Sequence, residues 1–87
     1  MTTLVFQTPL TREEDKVLKK RFTNVVKNRI RDLRKQRGLT QQKLSDLAGL
    51  HLTYVGHLEL GRYRPSMYVL WKIASALKVP LDEFVKE

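Results

Sequence analysis

The chain has 87 residues, of which 41% are hydrophobic and 30% charged, a composition typical of one small globular domain. It contains no cysteine and no apolar run near the roughly 18 residues of a membrane span, which excludes disulfides, cysteine-ligated zinc and thiol catalysis and predicts a cytoplasmic protein. The net charge of +8 lies almost wholly in residues 12–37, where eleven Lys or Arg face four acids, and this block indicates nucleic acid as the first partner, ahead of an anionic membrane surface.

The first ten residues, "MTTLVFQTPL", predict an arm or a short strand, although a frayed terminus has the same composition. The apolar triplet of Leu4, Val5 and Phe6 favours an arm that packs on the body of the protein or on a second subunit. A helix follows, because Thr11 and Glu14 have the spacing of a capping box.

This first helix has apolar residues at steps of three and four, and Gly38 ends the pattern. The spacing predicts one helix of about 26 residues. Two helices with a break at Thr23 or Asn24 are the alternative, since both residue types cap helix N-termini. The sequence leaves the two arrangements open. The apolar positions are Leu18, Phe22, Val25, Val26, Ile30 and Leu33.

Three shorter helices are predicted downstream. The first spans residues 41–48 with Thr40 as its N-cap, and the second begins near residue 51 or 52 and ends at Gly61. The third follows Ser66, its N-cap, and a last short turn or helix closes the chain. The residues expected in the core are Leu44, Leu47 and Ala48, then Leu70, Ile73, Ala74 and Leu77, and after Pro80 also Leu81 and Phe84. The predicted fold class is all-α, a compact array of four or five helices with a helix-turn-helix pair in the middle.

Four segments resemble, in order and spacing, the Cro/phage-repressor-like (XRE-type) family of helix-turn-helix DNA-binding domains: "RDLRKQRGLTQQKL", "LAGL", "LELGRYRPS" and "VLWKIASALKVPLDEF". The resemblance implies a DNA-binding domain over residues 22–87, with residues 1–21 as an arm and basic helical extension. It also implies double-stranded DNA as the partner, transcription regulation as a two-fold homodimer, no cofactor and no small-molecule ligand. The segment "GLHLTYVGHLELG" is similar to restriction–modification controller proteins, which usually carry Arg where this chain has Leu52.

The resemblance makes residues 51–60 the recognition helix, which such proteins place in the DNA major groove. A helical wheel turns four residues towards the body, namely Leu52, Val55, Leu58 and Glu59. The opposite, small and open side holds Thr53, Gly56, His57 and Leu60. Leu52 also lies at the helix N-terminus, where the family reads bases, and core packing is the alternative role for it. The residues expected to read bases are Leu52, Thr53, Gly56 and His57.

A second set of residues is expected to hold the DNA backbone. The resemblance implies this role for Gln41, which begins the first helix of the pair. It implies the same for Arg62 and Arg64 in the loop after the second helix. Tyr54 on the flank of that helix and His51 at its start complete the set.

Glu59 is expected to have a structural role. A carboxylate on the body-facing side of a DNA-reading helix would repel phosphate if it were unpaired. Arg34 matches the family position that forms an ion pair with this glutamate, so the pair would lock the first helix to the recognition helix.

The residue chemistry gives no support to catalysis or metal binding. His51 and His57 are six residues apart, so on one helix they point about 240° apart and cannot share a metal ion. There is no glycine-rich phosphate loop, and the serines lack a triad context. A non-enzymatic protein is therefore expected.

Two questions stay open at the level of sequence. A protein-interaction module, such as the antitoxin of a toxin–antitoxin pair, could bind a protein partner through Leu60 and the arm, with DNA binding secondary. A basic helix on a membrane ranks last, because its apolar stripe is needed for the core, so no membrane partner is expected. The two candidate dimer surfaces are the C-terminal residues Leu81, Phe84 and Val85, and the N-terminal residues 4–6 with Val17 and Leu18.

Overall fold

The computed structural model describes Val5 and residues 8–87. Its elements are α1 (Arg12–Gln36), α2 (Gln41–Leu47), α3 (Tyr54–Glu59), α4 (Met67–Leu77) and a C-terminal 3-10 helix (Leu81–Val85). These residues contain no strand, which confirms the predicted all-α fold class. Of the predicted arm, Leu4 and Phe6 lie outside the described residues, and the Val5 side chain is exposed. In the part of the chain that is described, no helix combines the length and the apolar character needed to cross a membrane.

The first helix, α1, is continuous over 25 residues. The Thr11 hydroxyl accepts a hydrogen bond from Glu14 N at 3.1 Å, and the Glu14 carboxylate accepts one from Thr11 N at 3.0 Å, which confirms the capping box. The alternative break near Thr23 or Asn24 does not occur. The Thr23 hydroxyl does not cap a new helix but donates to the Lys19 carbonyl at 2.9 Å within α1. α1 therefore runs through the boundary expected between residues 21 and 22.

The core lies where the four α-helices and the 3-10 helix meet. Phe84 is fully buried, as predicted, and its 3-10 helix packs on α1 and α4. The buried Ser45 hydroxyl accepts a hydrogen bond from Val55 N at 3.1 Å and so fixes α2 against the start of α3. The expectation that Leu47 faces the core is wrong, since its side chain is half exposed: the buried side of α2 is centred near Ala48, about 100° away. The other buried apolar residues are Val26, Ile30, Leu33, Leu44, Leu58, Leu70, Ile73, Ala74 and Leu77.

Two arginines of α1 hold the C-terminal residues. Arg29 donates from Nε to the Glu83 carbonyl at 2.9 Å and from Nη2 to the Glu83 carboxylate at 3.3 Å. Arg21 donates from Nε to the Glu87 carboxylate at 3.0 Å. The hydrogen bond from Lys86 lowers the pKa of Glu83, and the hydrogen bond from Arg21 lowers the pKa of Glu87. The end of the chain is thus tied to the middle of α1.

Candidate nucleic-acid interface

A turn between α2 and α3 delays the start of the helix expected to read DNA. The His51 carbonyl accepts a hydrogen bond from Tyr54 N at 2.9 Å, and His51 Nδ1 lies 3.1 Å from the Thr53 hydroxyl. These contacts hold residues 51–53 as a turn, so α3 begins only at Tyr54, with Thr53 as its N-cap. The prediction of a helix over residues 51–60 is therefore wrong at its start.

Leu52 shows the consequence of this shorter helix. The helical wheel turns Leu52 towards the body, but its side chain is 55% exposed because it belongs to the turn. Inside α3 the wheel is correct for the core side, since Val55 and Leu58 are buried. Thr53 and Leu60, at the two ends of α3, are exposed on the outer side.

A shallow groove lies between α2 and the segment formed by the turn and α3. Seven residues line it: Gln41, Gln42, Leu52, Thr53, Gly56, His57 and Leu60. The structure thus brings together the four residues expected to read bases and adds two glutamine side chains to them. Amide, hydroxyl and imidazole groups are those that form hydrogen bonds to base edges, and the leucines offer apolar contact to a thymine methyl group.

Gln41 lies across the outer side of α3. Its Nε2 donates a hydrogen bond to Glu59 Oε1 at 3.1 Å. A Cβ atom at Gly56 would come 3.1 Å from Gln41 Oε1, which is closer than ordinary van der Waals contact. The missing side chain of Gly56 is therefore what lets the glutamine carboxamide approach the α3 backbone.

Arg34 and Glu59 form a two-pronged ion pair beneath this groove. Arg34 Nε donates to Glu59 Oε2 at 2.7 Å, and Nη2 donates to Oε1 at 3.0 Å. A third hydrogen bond joins Arg34 Nη1 to the Leu39 carbonyl at 2.8 Å. The side chains are only 11% and 5% exposed, so water screens the pair poorly. Through Glu59, Arg34 of α1 also fixes the position of Gln41 of α2.

His57 is half-buried, whereas the wheel turns it fully outward. Its ring centroid lies 4.8 Å from that of Tyr63, and its Nδ1 atom is buried with no hydrogen-bond partner among the described residues. Tyr63 also packs on Tyr54, with ring centroids 5.2 Å apart. Nε2 is thus the ring nitrogen of His57 left to meet a ligand. Sequence reasoning missed Tyr63, and the available signal was an aromatic residue between Arg62 and Arg64.

The residues expected to hold the DNA backbone lie in more than one place: Gln41 lines the groove, and most of the others do not. Tyr54, Arg62, Tyr63 and Arg64 line an open concave surface beside α3. Arg62 and Arg64 are exposed, as is His51 at the other end of α3. Within the described residues, no group of three or more His, Cys, Asp or Glu side chains is placed to hold a metal ion.

A second exposed surface lies on α4 and the end of α2. Tyr68 and Trp71 of α4 are 67% and 65% exposed, and with Leu47 they line a shallow depression. Lys72 donates to the Gly49 carbonyl at 3.1 Å and lies 5.3 Å from the centre of the Tyr68 ring. These residues line neither the groove nor the concave surface beside α3.

Comparison with known proteins agrees with this architecture. Residues 30–84 match the helix-turn-helix family HTH_3, and the chain belongs to this family. It is 39% identical over 62 residues to the immunity repressor protein of Bacillus phage phi105, which covers 71% of this chain and 43% of that protein. The chain thus spans less than half of the length of this relative.

Two solved structures are similar to this chain over most of their own length. The restriction–modification controller protein C.AhdI from Aeromonas hydrophila has a TM-score of 0.69 and 35% identity, covering 71% of this chain and 94% of that one. The hypothetical transcription factor NHTF from Neisseria has a TM-score of 0.73 and 26% identity, covering 97% of this chain and 90% of that one. The similarity to the phage-repressor and controller group that the sequence indicates is confirmed.

Proposed function

We propose that this protein is a sequence-specific DNA-binding transcriptional regulator that places α3 and the preceding turn in the major groove. The observation that carries the proposal is the open groove in which Thr53, His57 and Gln41 meet above the buried Arg34–Glu59 pair. An ion pair that holds exposed polar groups in place from below suits direct reading of the edges of DNA bases. Membership of the helix-turn-helix family supports the same function.

Three side chains of the groove take the reading roles. The Thr53 hydroxyl hydrogen-bonds a base edge, His57 Nε2 donates to a guanine acceptor, and Leu52 meets a thymine methyl group. Gly56 contributes by its small size, because it allows Gln41 to lie close to α3.

The surrounding polar groups hold the phosphates. The carboxamide of Gln41 is fixed by Glu59, and Arg62 and Arg64 extend from the loop after α3. Tyr54 is the first residue of α3, and His51 lies in the turn before it. These contacts position the helix without reading sequence.

Two copies bind a two-fold symmetric site, with half-sites about 34–36 Å apart or at a multiple of that spacing. Of the C-terminal candidates for the dimer surface, Phe84 is fully buried and Leu81 packs partly buried against the core, which leaves only Val85 exposed. Val17 and Leu18 on α1 are 53% and 38% exposed. We therefore favour the N-terminal half of α1 as the surface that joins two copies.

Selection from random duplexes at two salt concentrations tests the proposed function. The expected result is an enriched two-fold symmetric motif and an affinity that falls steeply with salt. Thr53→Ala and His57→Ala should change the enriched sequence, whereas Arg62→Gln should weaken all sequences about equally. A wild-type protein that enriches no motif at physiological salt contradicts the proposal.

A further inference from the structure

Some positive charges of α1 are used within the fold and others are not. Three arginines are used within the fold, since Arg21, Arg29 and Arg34 pair with acids from the C-terminal segment and α3. Lys20 and Lys27 differ, because neither has an ion-pair or hydrogen-bond partner among the described residues. Lys20 and Lys27 are therefore among the charges that α1 leaves for an outside partner.

Lys27 lies beside the end of the recognition helix. Its Cδ and Nζ atoms are 3.7 Å and 3.8 Å from the position that a Cβ atom at Gly61 would occupy. Thr23, one turn earlier in α1, is 3.7 Å from the same point. Gly61 leads directly into Arg62 and Arg64, so this side of α1 adjoins the loop proposed to hold phosphates.

Two more lysines lie on the same side of α1, farther from the loop. Lys20 and Lys16 each lie within about 20° of Lys27 around the helix axis, and the three span about 16 Å along it. Lys16 is paired with Glu13 at 3.6 Å, but the side chains are 73% and 83% exposed. An ion pair so exposed to water contributes little to stability. Lys16 can therefore leave Glu13 and bind a phosphate instead.

We propose that Lys16, Lys20 and Lys27 form a phosphate-binding stripe that extends the DNA contact of the helix-turn-helix along one side of α1 towards its N-terminus. This inference rests on the proposed function. It adds a second surface of the protein that binds the same DNA duplex. The partner is the sugar–phosphate backbone outside the bases read by α3, so the stripe raises affinity without changing sequence preference. Beyond Lys16 the acids Glu13 and Asp15 end it.

The test is the salt dependence of binding to the motif enriched by the wild-type protein, embedded in a longer duplex. Each phosphate contact that is lost lowers the slope of log K against log salt by about 0.9, so the double variant K20Q/K27Q should lose close to two units of slope. Its enriched motif should stay the same. The variant K20R/K27R keeps both charges and should keep the slope.

The matched control K19Q/K78Q removes the same charge from other places: Lys19 lies about 80° from Lys27 around α1, and Lys78 follows α4. It should keep nearly the wild-type slope. Thermal melting of each variant checks that it is folded. Equal losses in the two glutamine variants would show a general charge effect and overturn the inference.

The remaining outcomes separate the two proposals. A wild-type protein that enriches a motif, with an unchanged slope in K20Q/K27Q, overturns the stripe and leaves the proposed function standing. A wild-type protein that binds no DNA overturns both. Binding to phosphatidylserine vesicles that K20Q/K27Q loses, together with an unchanged DNA slope, would assign the lysines to a membrane surface and also overturn the inference.

Discussion

The carboxamide of Gln41 lies so close to the backbone of Gly56 that a Cβ atom there would be 3.1 Å from its Oε1 atom. Alanine in place of glycine normally raises the stability of a helix by roughly 1 kcal/mol. We predict that Gly56→Ala raises the free energy of unfolding by less than this, because Gln41 must move. In a Gln41→Ala background the same substitution should gain the full amount. Urea unfolding of the four proteins measures the difference, and equal gains in both backgrounds would show that the contact does not matter.

The ion pair beneath the groove should be needed for stability. Glu59→Ala leaves the buried Arg34 without its carboxylate partner and should lower the free energy of unfolding by about 3 kcal/mol. The double variant Arg34→Met with Glu59→Leu removes both charges and should cost less. Denaturant unfolding compares the two, and an unchanged midpoint for Glu59→Ala would contradict the structural role.

The carboxylates at the end of the chain should make stability depend on acid pH. The pKa values of Glu83 and Glu87 are lowered by hydrogen bonds from Lys86 and Arg21. The unfolded chain therefore binds more protons than the folded chain as the pH falls, so the contribution is present above the ordinary glutamate pKa of about 4.3 and is lost as the pH drops through the folded values.

Melting temperatures between pH 7 and pH 3 test this dependence. The Glu83→Gln and Glu87→Gln variants should be less stable than the wild type near pH 7 and should approach it at pH 3. A difference that stays constant over this range would exclude the carboxylates as its cause.

Lys78 offers a stabilising substitution. It ends α4 with φ at 58°, in the left-handed region where a Cβ atom is unfavourable. Lys78→Gly should raise the free energy of unfolding by about 0.5–1 kcal/mol, after allowance for the greater freedom of glycine in the unfolded chain. Lys78→Ala keeps the Cβ atom and serves as the control. Equal stability of the glycine and alanine variants would contradict the explanation.

The contact between Tyr63 and His57 should matter for sequence preference. Tyr63→Ala removes the ring that packs on the imidazole, so His57 gains freedom. If His57 reads a base as proposed, the enriched motif should become less defined at that base. Tyr63→Phe keeps the ring and should keep the motif. Sequencing of the duplexes selected by the three proteins compares their motifs. A motif unchanged by Tyr63→Ala would show that Tyr63 does not affect sequence preference through His57.

The features that the sequence predicts well depend on local chemistry. Thr11, Thr40 and Ser66 each cap a helix through their own hydroxyl groups, with a backbone N–H three residues on as the donor. The buried positions of α4 follow from helical spacing, as do those in the second half of α1, whereas Leu18 and Phe22 of the same apolar stripe are exposed. These contacts lie within one turn of the chain, so neighbouring residues are sufficient to predict them.

The features that the sequence misses depend on contacts between segments. The start of α3 is set by the hydrogen bond from Val55 N to the Ser45 hydroxyl of α2. It is also set by the contact of His51 with Thr53, which is local but is not part of regular helical spacing. No spacing rule contains these contacts, so the wheel continues the helix too far and turns Leu52 inward. The position of Tyr63 over His57 likewise depends on the path of the loop.

Trp71 is the single tryptophan of the chain, and 65% of its surface is exposed on α4. Its fluorescence in the folded protein should therefore already resemble that of an indole in water, and unfolding should shift the emission little. The same exposure makes Trp71 a sensitive reporter of association. A shift to shorter wavelength on mixing would show that a second molecule covers the outer side of α4, whereas DNA held at the groove should leave the emission wavelength unchanged.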